Sequence, residues 1–222
     1  MCLLAVAAAS PAQNTEFQLR PELDTYVQVA PLLRLELLNL FIGNTDTGDW
    51  HGNFTFFAEM ALKPVLRPRL RNQPNVYQRR YLTFGAGYRY RVAMPGSNTA
   101  TENRILLDLT ARYPLPLNLL ISSRNRGEFR FIRGQSFFTR YRNRLRLEYD
   151  FERGRFEFIP YGDVEAFYDS RYNAWTPWRY ELGAQFPVGS HVVLEPYYLR
   201  DHSSQAPPAR TNALGFKLSL FF

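Results

Sequence analysis

Arginine is the residue whose spacing points most directly to chemistry. From Thr139 to Phe151, Arg140, Arg142, Arg144, Arg146, Glu148 and Asp150 share one parity. Tyr141, Leu145, Leu147, Tyr149 and Phe151 share the other, with Asn143 the only polar intruder. Side chains two residues apart lie on one face of a strand, so this segment reads as a strand with one charged and one apolar face. Arg89 and Arg91, Asp163 and Glu165, and Arg179 and Glu181 repeat the spacing. The guanidinium is a fixed, always-charged fork suited to carboxylates. Such rows can do two things: form a charge network that fills an interior, or line a path that attracts anions. If Arg153-Gly154 turns a hairpin, facing residues sum to 307, which sets Arg144 against Asp163 and Arg142 against Glu165. The same register sets Asp150 unfavourably against Glu157. Facing opposite charges contribute about 0.2–1 kcal/mol when solvated, and an unpaired buried charge costs far more.

Catalytic chemistry has little support. Of the histidines, His51 and His202 fall in expected external loops and His191 follows an expected tight turn. His202 beside Ser203 and Ser204 is the nearest thing to a nucleophile and base, but loop neighbours are not a preorganised pair. No Cys/His cluster has metal-ligand spacing. Asp46 and Asp49 would hold Ca²⁺ only loosely, and there is no glycine-rich phosphate loop. The expectation is a protein without catalytic residues, metal or cofactor.

The same alternation organises the rest of the chain. Leu82, Phe84, Ala86, Tyr88 and Tyr90 oppose Thr83, Gly85, Gly87, Arg89 and Arg91, and similar segments recur from Pro21 to the C-terminus. Ten strands are expected near 32–43, 51–64, 79–93, 102–113, 117–131, 137–151, 155–169, 176–187, 190–201 and 210–222, with twelve as the alternative. Residues 13–31 are an N-terminal segment or a first strand. These segments exceed the usual strand of about 5 or 6 residues and suit tilted strands crossing a bilayer, which need about 9 to 11. Tight turns at Ala30-Pro31, Pro114-Leu115-Pro116, Arg153-Gly154 and Val188-Gly189-Ser190 alternate with the longer loops Gly43 to Gly52, Pro95 to Thr101, Asp169 to Pro177 and His202 to Arg210. Short turns at one end and long loops at the other mark a transmembrane antiparallel β-barrel with a polar, Arg/carboxylate-filled interior. The long Pro64 to Gln78 connection breaks the pattern. At the C-terminus, Leu214, Phe216, Leu218, Leu220 and Phe222 share one parity. An apolar alternation ending on an aromatic resembles the signal read by outer-membrane assembly machinery. That strand is expected to close the barrel against the strand from Leu32 to Gly43, with Lys217 facing inward.

Composition agrees with this reading. The chain has 222 residues, a net charge of +7 and 16% aromatic residues. Its mean hydropathy is −0.33, as alternating faces would give. Lys63 and Lys217 are the only lysines, so 25 of the 27 basic residues are arginine. They are interleaved with carboxylates rather than gathered in one patch, which argues against nucleic-acid binding. The only cysteine is Cys2. Residues 1–12, with Leu3 to Ala9 apolar and small residues at Ser10 and Ala12, read as the remnant of a signal peptide.

Four stretches carry a family resemblance: Pro21-Glu22-Leu23-Asp24-Thr25-Tyr26, Phe84 to Tyr90, Tyr141 to Tyr149 and Pro160 to Tyr168. Together they resemble the DUF2490 family of outer-membrane barrels, over nearly the whole chain after residue 12. The resemblance implies an outer-membrane barrel of unknown function and transfers no catalytic residue. The combined expectation is a monomeric, non-enzymatic scaffold or narrow, anion-favouring pore, porin-like in topology. It would sit in the outer membrane of a Gram-negative bacterium, with lipid and lipopolysaccharide outside it and the assembly machinery as its partner during biogenesis. An outer-membrane lipid-modifying enzyme and a soluble lipocalin-like barrel are the alternatives.

Overall fold

The computed structural model describes residues 15–64, 75–96, 100–153, 156–202 and 210–222. The expected leader at 1–12, most of the Pro64 to Gln78 connection, Gly154, Ser203 and Ser204 lie outside the described residues.

Among the described residues, eleven strands form a closed barrel: β1 Thr15–Ala30, β2 Leu33–Asn44, β3 Trp50–Pro64, β4 Arg80–Ala93, β5 Glu102–Leu115, β6 Leu119–Ile132, β7 Phe138–Tyr149, β9 Phe156–Asp169, β10 Ala174–Val188, β11 Val192–His202 and β12 Arg210–Phe221. A three-residue strand, β8 Phe151–Arg153, pairs only with the start of β9. Consecutive barrel strands are antiparallel. With an odd number in an up-and-down meander, the first and last must run the same way, and β1 pairs with β12 in parallel from Thr15↔Arg210 to Tyr26↔Phe221. Both the expected count of ten and the expected closure against Leu32 to Gly43 are corrected. The physical reason is that β1 alternates as fully as the others. Leu19, Leu23 and Val27 are exposed outside while Asp24 is buried inside, so β1 inserts between β2 and β12. The backbone N–H of Phe222 donates to Tyr26 O and that of Gln28 to Phe222 O, each at 2.8 Å. Closure pairs each of the eleven long strands on both sides, which removes the free edges of an open sheet.

Hairpin connections are short at one end, between β1 and β2, β5 and β6, and β10 and β11, with the long β3–β4 connection the exception there, and longer at the other. We call these the turn end and the loop end. The β5–β6 turn holds Leu117 and Asn118 at φ of 61° and 62°, with Leu119 N–H donating to Pro116 O at 3.4 Å. Two consecutive positive φ values define the mirror-image turn that matches strand twist. The β7–β9 ladder runs from Arg140↔Asp169 to Glu148↔Tyr161, so facing residues sum to 309 rather than 307, and the hairpin turns one residue later than expected. Arg144 therefore faces Glu165, Arg146 faces Asp163, and Glu157 faces Glu152 instead of Asp150.

The faces are inverted relative to a soluble barrel. Leu37, Phe56, Leu107, Leu145, Leu182 and Phe216 are exposed on the outside, while Asp108, Arg126, Glu128, Asp163 and Glu165 are buried inside. The intruder Asn143 also faces out, where its Nδ2 donates to Ser123 Oγ at 3.2 Å and Asn125 Oδ1 at 3.0 Å. Glycine thins the wall where inward aromatics need room. A Cβ on Gly85 or Gly87 would collide with the Phe57 ring, and one on Gly215 with Tyr197, an aromatic-over-glycine pairing that helps pin register.

Leu117, 81% exposed, gains little contact in return for a left-handed backbone that costs a non-glycine residue about 1 kcal/mol. Leu117→Gly should therefore raise the urea midpoint of the folded protein, measured by loss of its strand circular-dichroism signal.

Candidate functional site: the charged lumen

The inward faces surround a cavity of about 600 Å³. Arg89, Arg91, Arg140, Arg142, Arg144, Arg146, Glu148, Asp163, Glu165, Arg179 and Glu181, the residues picked out by parity, all line it. The register error does not separate them, because inward side chains also reach diagonally. Arg142 faces Phe167 in the ladder, yet its Nε and Nη2 donate to the two Glu165 oxygens at 3.1 and 2.7 Å. Its Nη1 donates to Glu128 Oε1 at 2.9 Å. Arg146 donates to Asp163 Oδ2 at 2.6 Å and to Glu181 Oε1 at 3.1 Å. Arg144 is only 3.7 Å from Asp163. Arg179 bonds Asp201, and Arg140 donates to Asp169 at 2.8 Å.

The network extends well beyond that ladder. Glu102, 1% exposed, accepts from Arg104 Nη2 at 2.7 Å and Arg130 Nη2 at 2.9 Å. Asp108 takes both prongs of Arg126 at 2.6 Å. Glu195 accepts from Tyr161 at 2.7 Å, Gln185 at 3.0 Å and Lys217 at 3.4 Å. Glu102, Arg104, Asp108 and Arg112 hold one parity of β5, so alternation alone was enough to find them.

Fourteen arginines and Lys217 line the cavity against ten carboxylates. Glu102, Glu128, Asp169 and Asp201 pair with that lining from just outside it, which brings the interior close to neutral. Both signs occur along the whole axis. The loop-end halves of the strands carry Arg20, Arg89, Arg91, Arg104, Arg126, Arg130, Arg140, Arg142 and Arg179 together with Glu102, Asp108, Glu128, Glu165, Asp169 and Asp201. Toward the turn end, Asp24, Glu36, Glu59, Glu148 and Glu195 accompany Arg34, Arg112, Arg124, Arg144, Arg146 and Lys217, and Glu22, Asp163 and Glu181 lie near mid-strand. Among the described residues, Arg20, Arg89 and Arg112 have no carboxylate within ion-pair distance; they donate to Gln18, Thr55 and Thr83 respectively.

The turn end is filled by part of the connection that lacked an explanation in the sequence. Residues Val76–Arg79 make a 3₁₀ turn. Tyr77 is fully buried, with the Arg34 guanidinium 4.0 Å above its ring. Asn75 Oδ1 accepts from Arg34 Nη1 at 2.8 Å. Gln78 Nε2 reaches across the lumen to Gln185 Oε1 on β10 at 2.7 Å. No periodicity marks residues 75–78, because they work as individual side chains inserted into a hole.

The three histidines sit on separate elements. His51 is the second residue of β3 and lines the lumen, which corrects its expected loop position: β3 begins at Trp50. His202 ends β11, with the Tyr180 ring edge-on at 6.5 Å, and its candidate serines lie outside the described residues. Ser190 and His191 Nδ1 are 2.7 Å apart, but these are sequence neighbours in an exposed turn at the opposite end. Among the described residues no group of His, Cys, Asp or Glu could hold a metal ion. Asp46 instead caps local backbone: its Oδ2 accepts from Phe17 N–H at 3.4 Å.

Glu102 compensates two buried guanidiniums, and removing its charge leaves them facing each other. Glu102→Gln should cost about 3 kcal/mol, measured as a lower urea midpoint in detergent.

A family model described as "Protein of unknown function (DUF2490)" matches residues 66–212. The match leaves out β1–β3, and with them the Pro21 to Tyr26 stretch. No curated protein matches the chain.

Proposed function

This chain belongs to the DUF2490 family, and we propose that it is a non-enzymatic outer-membrane β-barrel whose narrow lumen is closed at rest and favours anions at its loop-end mouth. The observation that carries the reading is the inversion of the barrel. Leu, Phe and Met side chains exposed around its outside form an apolar surface far beyond the few hundred Å² that soluble monomers present. Aromatics flank that belt: Trp50, Trp175, Trp178, Tyr180 and Phe131 toward the loop end, and Tyr113, Tyr149 and Phe222 toward the turn end. Such girdles suit the two interfaces of a bilayer. A soluble lipocalin-like barrel would be built the other way, with an apolar interior for its ligand. Among the described residues no helix is long and apolar enough to cross a membrane, and strands would do the crossing instead.

In this reading Leu214, Phe216, Leu218, Leu220 and Phe222 serve twice. They address the nascent chain to the assembly machinery, then face lipid and lipopolysaccharide as the closing strand of a monomer. The lumen is too full for a wide channel. Salt bridges cross between strands, and the Gln78–Gln185 bond spans the turn end. Arg20 and Arg89, without carboxylate partners in the loop-end half, attract anions, and displacement of residues 75–78 would open the path.

Two measurements test this. The protein should fractionate with the outer membrane and run faster on gels unheated than boiled; recovery as a soluble periplasmic protein would contradict the membrane reading. In planar bilayers the parent should be nearly silent. Tyr77→Ala/Gln78→Ala should conduct, with a reversal potential in a KCl gradient on the chloride side. Silence of both proteins would discard the conduit and leave a scaffold.

A further inference from the structure

Arg89 stands out among the charges of the lumen. It extends inward from the loop-end half of β4, and its Nε donates to Thr55 Oγ1 at 2.7 Å. Among the described residues no carboxylate lies within ion-pair distance of it. Its ladder partner on β5 is another cation, Arg104. Arg126 and Arg142 also bear on it electrostatically, with Glu128 as the one strong opposing charge. Those neighbours are already committed to carboxylates: Arg104 to Glu102, Arg126 to Asp108 and Arg142 to Glu165 and Glu128. Arg89 lines the cavity, and among the described residues its Nε alone has a hydrogen-bond partner. Like charges facing across a strand pair are destabilising, so an anion held here would relieve repulsion as well as bind.

We propose that Arg89 is the principal ligand of a small-oxyanion site in the lumen, for an ion or terminal group of the phosphate type with at least two charged oxygens. The guanidinium fork selects this class, because it gives two parallel charge-assisted bonds to an oxyanion and only one point of attraction to chloride. Thr55 fixes the Nε side, which turns the two Nη atoms toward the lumen. Arg104 and Arg126 supply field rather than further bonds. The site rests on the reading of the lumen as open to water at its loop end, but not on conduction, since a barrel closed at its turn end would hold the same ion.

The test is the thermal unfolding midpoint of the folded protein in detergent, in inorganic phosphate against sodium chloride of equal ionic strength. Phosphate at about ten times its half-saturating concentration should raise the parent's midpoint by about 3 °C over chloride. Arg89→Gln retains a partner for Thr55 and removes the charge. Its midpoint in chloride should equal or exceed the parent's, and the phosphate shift should vanish. Arg89→Lys keeps the charge but loses the fork, so half-saturation should move at least tenfold higher; it carries the test if the glutamine variant does not fold. An unchanged phosphate shift in these variants, or none in the parent, overturns the site. A phosphate shift in a barrel that never conducts sinks the conduit alone, and conduction without a phosphate shift sinks this site alone.

Discussion

Charge compensation inside a closed wall is the constraint on which this structure depends. A guanidinium pointing into a narrow lumen has lost most of its water, so its partner must come from the inner face of the same barrel. Glu128 and Glu165, on either side of β7, both bond Arg142. Glu165 also takes Arg124 from β6, two barrel positions away, and Tyr161 reaches Glu195 across β10. Such bonds skip a neighbouring strand, which is possible only when the interior is narrow. They make barrel closure and charge pairing one requirement: an opened sheet would leave these charges unmatched. Among the described residues, matching is left incomplete at Arg20, Arg89 and Arg112, and of these Arg89 faces another cation, Arg104, across the ladder.

The outer surface follows from the same inversion. Once the charged parity is inside, the other parity of every strand must face out, and those residues are Leu, Phe, Tyr, Val and Ile. Closing the barrel then leaves an apolar band with aromatic rims, a surface stable only against something equally apolar. The parallel β1–β12 seam completes the band, with Leu19 and Leu23 beside Leu214 and Leu218.

Much of this was legible in the sequence, and for one reason. A period of two assigns each residue a face, and a face is enough to name a lumen residue. The inward position of the Arg140 to Glu148 row, and of Asp163, Glu165 and Glu181, needed only that rule. Register needed more. The β7–β9 hairpin turns one residue later than Arg153-Gly154 suggests, and turn chemistry around a lone glycine does not fix the midpoint. The strand count failed at β1, whose alternation was visible but whose inclusion makes an odd, parallel-closed barrel, while bacterial barrels are usually even. Tyr77 and Gln78 had no signal at all, because a side chain plugging a hole has no period. Glu102 and Arg104 were visible by parity, although the pairing of Glu102 with Arg130 required the ladder.

The central claim is that the apolar band is a bilayer-facing surface. The three tryptophans test it directly, since Trp50, Trp175 and Trp178 all lie exposed outside near the loop end. Fluorescence quenching by brominated lipids of graded depth should be strongest with bromine close to the headgroup and weaker toward the bilayer centre, with little quenching by aqueous iodide. Full access to iodide, with no response to bromine at any depth, would contradict the account.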